Sequence, residues 1–291
     1  MSSTKTNREL LTSIRSYNKV AREKKAIKEG FSSADQMIAH LEGQIKLGKG
    51  NKPWSNPNSV KPYVATTGKS PCPTTKAPVS KTTSKSRPTI HVVDVLDSSG
   101  SMSGGKHSAA KKGINMGVGG LKADTANVNY TYTLCDFSDD LIFRHVKSQL
   151  SEVKEFKGNT RGSTALFDAI GTTIEKIKTD GGTIKSTDKV LVNIYTDGQE
   201  NASRHFTATA IDSLIKSLSE VGWTFTFIGT ASDVAYAQRV LSIKDSNTLV
   251  HDNTARGLEK SFVANTAART SYSSKVSAGE DVSEGFYKDI N

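Results

Sequence analysis

From residue 89 onward, two kinds of apolar pattern alternate along the chain. The segment Ile90–Leu96 is a short, mostly apolar run rich in β-branched residues, which predicts a buried strand. The next segment, Lys106–Ala123, places apolar residues such as Ile114 and Leu121 on or near one face at helical spacing. The region therefore opens with a strand followed by a helix.

The same alternation continues to about residue 268. The further predicted strands are Val128–Phe137, Leu141–Val146, Lys189–Thr196, Trp223–Gly229 and Thr248–His251. The further predicted helices are Thr164–Lys178, Ala208–Glu220, Asp233–Leu241 and about Thr254–Ala268. The polar turn 138–140 suits an antiparallel hairpin, so one edge strand should run against the others. The remaining strands are separated by helices, which predicts an α/β fold: a Rossmann-like, doubly wound, mostly parallel sheet with helices on both faces.

The first third of the chain has a different composition. Residues 1–48 contain two helical patterns, Asn7–Glu29 and one after Ser33, where Ser33 and Gln36 have the spacing of a capping box. Residues 49–88 hold all seven prolines among Ser, Thr and Lys, which predicts an extended linker. We therefore divide the chain into a basic helical segment (1–48), a linker (49–88), an α/β domain (89–270) and a loose polar tail (271–291).

The positive charge is concentrated before the α/β domain. Residues 1–88 hold 13 Lys and 4 Arg against 5 acidic residues, a surplus larger than the net charge of +10 of the whole chain. Any attraction to nucleic acid or another acidic polymer should therefore lie in this arm. Aromatic residues are sparse there and no nucleic-acid motif is present, so a tether or a protein-docking arm fits equally well.

The cysteines and the lengths of the apolar runs indicate the cellular compartment in which the protein is expected. Cys72 and Cys135 are far apart, with no second thiol near either, which argues against a disulfide framework and favours a reducing environment. The N-terminus lacks the apolar core of a secretory signal, and no run is long enough to cross a bilayer. We expect a cytoplasmic protein without membrane contact, or a virion-associated one if the chain is of phage origin.

Oxygen ligands follow three of the predicted strands and loops. Asp97, Ser99 and Ser101 come after the first strand, Thr164 precedes a helix, and Asp197 follows the Lys189–Thr196 strand. In parallel sheets these positions meet beyond the carboxyl ends of the strands. Hard oxygen donors without His or Cys select Mg²⁺, with Mn²⁺ and Ca²⁺ as alternatives. If the hydroxyls ligate directly and the carboxylates act through water, the ion stays electrophilic and seeks a further anionic ligand.

Three sequence motifs carry a family resemblance. Asp97-Ser-Ser-Gly-Ser-Met before a helix, Gly162-Ser-Thr-Ala-Leu-Phe-Asp-Ala-Ile, and a strand ending Thr-Asp-Gly198 resemble the von Willebrand factor A (vWA) domain over residues 89–268. The resemblance implies a complete metal-ion-dependent adhesion site, formed by Asp97, Ser99, Ser101, Thr164 and Asp197, which an Asp or Glu of a protein partner completes. It also implies that Asp168 supports the site loops from a second shell.

The functional expectation is a binding module and not an enzyme. Small proteins of this family resemble intracellular adaptors or assembly proteins, and similar short chains occur in bacteria and their phages. The loops Gly158–Gly162 and Asn201–Phe206 should supply the rest of the contact surface. Within the first strand, Asp94 is expected to be a paired structural carboxylate.

Three alternatives compete with this interpretation. Gly100–Lys106 fits the pattern of a phosphate-binding loop, although His107 stands where a Ser or Thr should hold Mg²⁺. A vestigial site would leave Asp97 and Thr164 as helix caps only. A structural protein whose basic arm binds nucleic acid is the third.

Overall fold

The computed structural model describes residues 87–290 and, nearer the N-terminus, Leu11, Met37, Ile38 and Leu41. The chain divides into two units, Met1–Lys85 and Ser86–Asn291. These four isolated residues are helical. The other expectations for the arm 1–48, and nearly all of the linker 49–88, lie outside the described residues.

The second unit is built on a six-stranded sheet. Its strands are β1 (Thr89–Asp97), β2 (Asn129–Phe137), β3 (Leu141–Gln149), β4 (Lys189–Tyr195), β5 (Trp223–Gly229) and β6 (Thr248–Val250). Their order is β3-β2-β1-β4-β5-β6, and every neighbouring pair is parallel except β2 and β3. The predicted mostly parallel sheet with one antiparallel edge strand is confirmed.

Five helices cover the two faces of this sheet. They are α1 (Gly105–Ala123), α2 (Leu166–Thr179), α3 (Ala208–Ser219), α4 (Ala231–Val240) and α5 (Ala255–Ala278). Helices α1 and α5 contribute to one apolar core, and α2, α3 and α4 contribute to the other. None of the helices among the described residues combines the length and apolar character needed to cross a bilayer.

The central strand β1 supplies both cores. Ile90, Val92 and Leu96 belong to the core under α1 and α5, whereas Val93 and Val95 belong to the core on the opposite face. A strand covered on both faces needs apolar residues at nearly every position, because successive side chains point to opposite sides. This explains why Ile90–Leu96 is a nearly continuous apolar run.

Helices α1 and α5 approach each other closely at glycine positions of α1. A β-carbon added to Gly113 would lie 2.1 Å from Cγ of Phe262, and one added to Gly120 would lie 2.9 Å from Cγ2 of Thr266. These side chains of α5 therefore occupy the space that an α1 side chain would fill. The glycines allow α5 to pack directly against the backbone of α1.

The C-terminal region differs from the sequence prediction. Helix α5 continues to Ala278, and Val282, Phe286 and Tyr287 beyond it are buried in the core. The expected loose tail 271–291 is therefore wrong for the described residues. This packing could not be predicted from the sequence because α5 buries polar residues. These residues pair with other buried groups of the protein, so the helix has no continuous apolar stripe.

Asp94 lies at the centre of this buried polar packing. Its carboxylate accepts hydrogen bonds from Tyr132 Oη at 2.8 Å and Asn193 Nδ2 at 3.1 Å, and it forms an ion pair with Arg269 of α5. The structure thus places Asp94 in a paired structural role, as expected. The pair joins the middle of β1 to the last helix.

Candidate metal centre

The loop after β1 carries three of the predicted ligands. Asp97 is the last residue of β1, and its Oδ1 accepts a hydrogen bond from the backbone N–H of Ser99 at 2.6 Å. This bond turns the chain so that Ser99 Oγ and Ser101 Oγ lie 2.9 Å apart. Asp97 and Ser99 are buried, whereas Ser101 is exposed at the edge of the site.

Thr164 reaches the site from the loop before α2. The helix begins at Leu166, two residues later than predicted, so Thr164 precedes it. The backbone N–H of Thr164 donates to Asn201 Oδ1 at 2.9 Å, and its carbonyl accepts from the N–H groups of Asn201 and Ala202. These bonds fix Thr164 against the loop that follows β4.

The end of β4 brings Asp197 to the same place. The preceding residue, Thr196, donates from Oγ1 to Asp97 Oδ2 at 2.6 Å, and its Oγ1 accepts from the N–H of Gly198 at 3.1 Å. The side chain of Asp197 is only 1% exposed, and its Oδ2 pairs with the ammonium of Lys106. The ends of β1 and β4, which are neighbouring parallel strands, thus place two carboxylates at one edge of the sheet.

The hydroxyl and carboxylate oxygens converge on one small space beside Gly198. A β-carbon added there would lie 3.0 Å from Ser101 Oγ, 3.1 Å from Thr164 Oγ1 and 3.4 Å from Asp97 Oδ2. The second oxygen of Asp197, Oδ1, is buried and has no hydrogen-bond partner. A buried carboxylate oxygen without a partner is costly, and a cation with its waters would satisfy it. The residues therefore fit a divalent ion.

The donor set also selects the kind of ion. In the described part of the chain, no group of three or more His, Cys, Asp or Glu side chains could hold a metal. The donors at this site are instead hydroxyls together with two carboxylates. Such hard oxygen donors suit Mg²⁺, Mn²⁺ or Ca²⁺ better than ions that favour imidazole or thiolate.

The negative charge of the Asp97 carboxylate is disfavoured at this buried site, and a bound cation would stabilise it. Burial raises the pKa of Asp97 to about 6, and the neighbouring Asp197 carboxylate adds to the rise. Hydrogen bonds from Thr196 and Ser99 oppose it. A divalent ion held at this site would favour the ionised form of Asp97.

Asp168 supports the loop after β4 through hydrogen bonds to its backbone. Its carboxylate accepts three backbone N–H bonds, from Arg204 at 2.7 Å, His205 at 2.9 Å and Phe206 at 2.7 Å. Burial opposes its ionisation, but these three bonds hold the pKa of Asp168 below its usual value. Asp168 therefore fixes the loop 204–206.

Glu200 joins the same loop to the start of α2. Its Oε1 accepts from the N–H groups of Ala202 and Ser203, and its Oε2 accepts from the N–H of Phe167 at 3.0 Å. A carboxylate at a helix N-terminus satisfies an otherwise unpaired N–H group and stabilises the helix dipole. The loop that carries Asn201 is thereby attached to the helix behind Thr164.

The loop Gly158–Gly162 is held by a buried acidic residue. Asp136, near the end of β2, pairs with Arg144 at 2.7 Å and with Arg161 at 2.9 Å. His107 Nε2 lies 2.6 Å from the carbonyl oxygen of Gly158. The backbone N–H of Gly100 donates to the carbonyl of Gly162 at 3.1 Å, which ties this loop to the Asp97–Ser101 loop.

The geometry does not support the phosphate-binding alternative. Such a loop must turn its backbone N–H groups toward the phosphates. Within Gly100–Lys106, three of these groups already donate to protein oxygens, those of Gly100, Met102 and Ser103. Lys106 is paired with Asp197 and Asn253. We therefore do not develop the alternative in which Gly100–Lys106 binds a nucleotide.

Several residues that shape the site could not be predicted from the sequence. Thr196 and Gly198 were noted only as letters of the Thr-Asp-Gly motif, yet one orients Asp97 and the other leaves room for the converging oxygens. Glu200 was not singled out, although it follows the motif by two residues. Lys106 was considered only as a phosphate-binding residue.

Comparison with known proteins gives structural neighbours only. No family model matches this chain, and no curated protein matches it. The pilus adhesin SpaC from Lactobacillus rhamnosus GG is 12% identical, with a TM-score of 0.50 over 63% of this chain and 31% of that one.

Two further solved structures have lower scores. Proximal thread matrix protein 1 from the mussel byssus, described with a zinc-occupied MIDAS motif, is 15% identical with a TM-score of 0.45, over 63% of this chain and 46% of that one. The VWA2 paralog of ArnB from Sulfolobus acidocaldarius is 20% identical with a TM-score of 0.43, over 62% and 45%. The chain thus spans less than half the length of each neighbour.

These likenesses bear on the fold alone. The sheet order, the antiparallel edge strand and the match to the adhesin define the second unit as a von Willebrand factor A fold. The five oxygen-bearing residues lie beyond the carboxyl ends of the parallel strands. Ligand sites in sheets of this kind are expected at that position.

Proposed function

We propose that this protein is a divalent-metal-dependent protein-binding module. The main support for this proposal is that oxygens of Ser101, Thr164 and Asp97 converge beside Gly198. The adjoining residue, Asp197, has a buried carboxylate oxygen without a hydrogen-bond partner. Ser99, Ser101 and Thr164 would hold the ion, and Asp97 and Asp197 would fix its waters. When bound, Mg²⁺ would supply an electrophilic position for an anionic ligand.

The proposed ligand is an Asp or Glu side chain of a protein partner. Neutral hydroxyl ligands offset little of the charge of the ion, so a carboxylate from outside would complete it favourably. Arg204 and His205 are exposed on the adjoining loop, and Ser101 is exposed at the edge of the site. A partner would therefore contact the loops Asn201–Phe206 and Gly158–Gly162 as well as the ion.

The proposal is for binding and not for catalysis. The described site combines buried oxygens with loops fixed by Asp168, Glu200 and Asp136, an arrangement suited to holding one ligand in a set position. We place the protein among bacterial or phage adaptors or assembly proteins of the cytoplasm or the virion. That assignment rests on the sequence.

The test uses Mn²⁺ in place of Mg²⁺, because its bound waters relax the protons of bulk water. The full chain is loaded with Mn²⁺ and titrated with an acetyl-Gly-Asp-Gly-amide peptide and, as the control, acetyl-Gly-Asn-Gly-amide, so that the Asp side chain is the only carboxylate that differs. We expect the relaxation enhancement to fall with the Asp peptide only, as its carboxylate displaces a metal-bound water. Equal responses to the two peptides, or no Mn²⁺ binding, would contradict the proposal.

A further inference from the structure

One cation is already present at the candidate metal centre. The ammonium of Lys106 pairs with Asp197 Oδ2 and also donates to Asn253 Oδ1 at 2.9 Å. The Asp197 side chain is 1% exposed and that of Lys106 is 19% exposed. The lysine thus covers one oxygen of a carboxylate whose other oxygen, Oδ1, is buried and has no partner.

Lys106 occupies an unfavourable place on its own helix. It is the second residue of α1, the first turn of α1 contains no acidic residue, and the N-cap position is Gly104 without a side-chain cap. A positive charge at a helix N-terminus opposes the helix dipole. Its local helix therefore does not explain its position, whereas the ion pair with Asp197 does.

The lysine can also leave this position. Its side chain is long, partly exposed and anchored through the ammonium alone, to groups on two different loops. An ammonium carries one charge, whereas the ion proposed for this site carries two. A divalent cation beside Asp97 and Asp197 would repel the ammonium at short range and would replace it as the counter-charge.

We propose that Lys106 is a built-in counter-cation of Asp197 that a divalent ion must displace, so that this lysine sets the metal affinity of the site. The inference rests on the proposed metal-binding function and adds a competing charge to it. Without metal, the lysine neutralises a buried carboxylate. When the metal binds, the ion pair between Lys106 and Asp197 must break, and this opposes metal binding. The measured metal affinity is therefore lower than the oxygen ligands alone would give.

The test measures Mn²⁺ affinity by electron paramagnetic resonance on the full chain. We expect Lys106→Met to bind Mn²⁺ about tenfold more tightly than the wild type, since a charged hydrogen bond no longer competes. Asn253→Ala keeps the lysine charge and removes its second anchor, so the affinity should rise by a smaller factor. The control is Lys112→Met, on the same helix but 75% exposed, and it should leave the affinity unchanged.

A second readout separates competition from a simple structural role. In EDTA, Lys106→Met should lower the midpoint of thermal unfolding, because Asp197 loses its only cation in the described structure. In saturating Mg²⁺ the midpoints of the variant and the wild type should agree. If Lys106→Met does not fold, Asn253→Ala carries the test.

The outcomes distinguish this inference from the function on which it rests. Equal or weaker Mn²⁺ binding by Lys106→Met, with clear binding by the wild type, would overturn the role of the lysine and leave the metal site standing. No Mn²⁺ binding by the wild type or by either site variant would overturn both.

Discussion

The guanidinium of Arg269, within α5, donates to the carboxylate of Asp94, in the middle of β1. The Arg269 side chain is 4% exposed and that of Asp94 is fully buried. Burial disfavours the charge on Arg269, but the Asp94 carboxylate outweighs it and raises the pKa of the guanidinium. The guanidinium is therefore charged, and its ion pair with Asp94 fastens the last helix to the central strand.

Removing one partner of this pair should strongly destabilise the second unit. We expect Arg269→Met to lower the free energy of unfolding by about 3–5 kcal/mol, because an uncompensated carboxylate remains buried. Urea unfolding followed by circular dichroism measures the loss. The double variant Asp94→Asn/Arg269→Met should recover part of it.

The matched control for this variant is an exposed ion pair near the end of α5. Lys275 and Asp289 pair at 2.6 Å with side chains 35% and 54% exposed. Lys275→Met should cost far less than Arg269→Met, because exposed pairs are screened by solvent. Similar losses from the two variants would show that the buried pair has no special role.

The glycines of α1 offer a matched test of helix packing. Gly113→Ala should lower the free energy of unfolding by about 1–3 kcal/mol, because the added methyl group overlaps the ring of Phe262. Gly119 is on the same helix with no atom within 4 Å of an added β-carbon, so Gly119→Ala should stabilise by up to about 1 kcal/mol through helix propensity. Thermal unfolding of both variants in EDTA makes the comparison. A stabilising Gly113→Ala would contradict the packing described.

Gly198 provides a direct test of the converging oxygens. An alanine there would place a methyl group between Ser101 Oγ and Thr164 Oγ1, in the space assigned to the ion. We expect Gly198→Ala to weaken Mg²⁺ binding by at least about tenfold while the fold is retained. Isothermal titration calorimetry measures the affinity.

Gly100→Ala is the control for this variant. It lies on the site loop, where an added β-carbon would make only an ordinary contact, 3.6 Å from the carbonyl of Gly162. This variant should bind Mg²⁺ as the wild type does. Equal affinities for Gly198→Ala and the wild type would place the ion elsewhere.

Asp168 allows the hydrogen bonds that hold the loop 204–206 to be tested separately from the proposed metal ligands. Asp168→Ala removes the acceptor of three backbone N–H groups, so the loop 204–206 should open. We expect faster tryptic cleavage after the exposed Arg204 and a loss of metal affinity of about 10–100-fold. Asp233→Ala removes a capping box from α4, and it should change neither readout. Unchanged cleavage at Arg204 in Asp168→Ala would contradict the supporting role.

The sequence predicted the parts of the fold that rest on local patterns. Strand β1 is covered on both faces, so its apolar run was visible, and the turn 138–140 correctly indicated the antiparallel β3. The last helix was predicted too short because Asn265, Arg269 and Ser273 are polar yet buried. Their partners, among them Asp94 and Tyr195, lie far away in the sequence, and local periodicity cannot reveal such pairs.

In the candidate site, too, the sequence predicted the features that depend on local patterns and not those that depend on long-range contacts. Asp97, Thr164 and Asp197 could be located because ligands in such sheets lie beyond the strand ends. The role of Gly198 depends on three oxygens from two other segments of the chain, and the Lys106–Asp197 pair joins residues 91 positions apart. These relationships exist only after the strands are aligned, so the sequence could suggest the ligand set but not the competing charge.

The central claim is that the Asp97–Ser101 loop, Thr164 and Asp197 bind a divalent ion. Thermal unfolding of the full chain in EDTA, Mg²⁺, Mn²⁺ and Ca²⁺, with the double variant Asp97→Ala/Ser99→Ala alongside, tests it most directly. We predict that the wild-type midpoint rises with ion concentration, by an amount equivalent to about 2.7 kcal/mol at one hundred times the dissociation constant, and that the double variant does not respond. A wild-type midpoint that is the same with and without ions, or a shift that the double variant retains, would contradict the account.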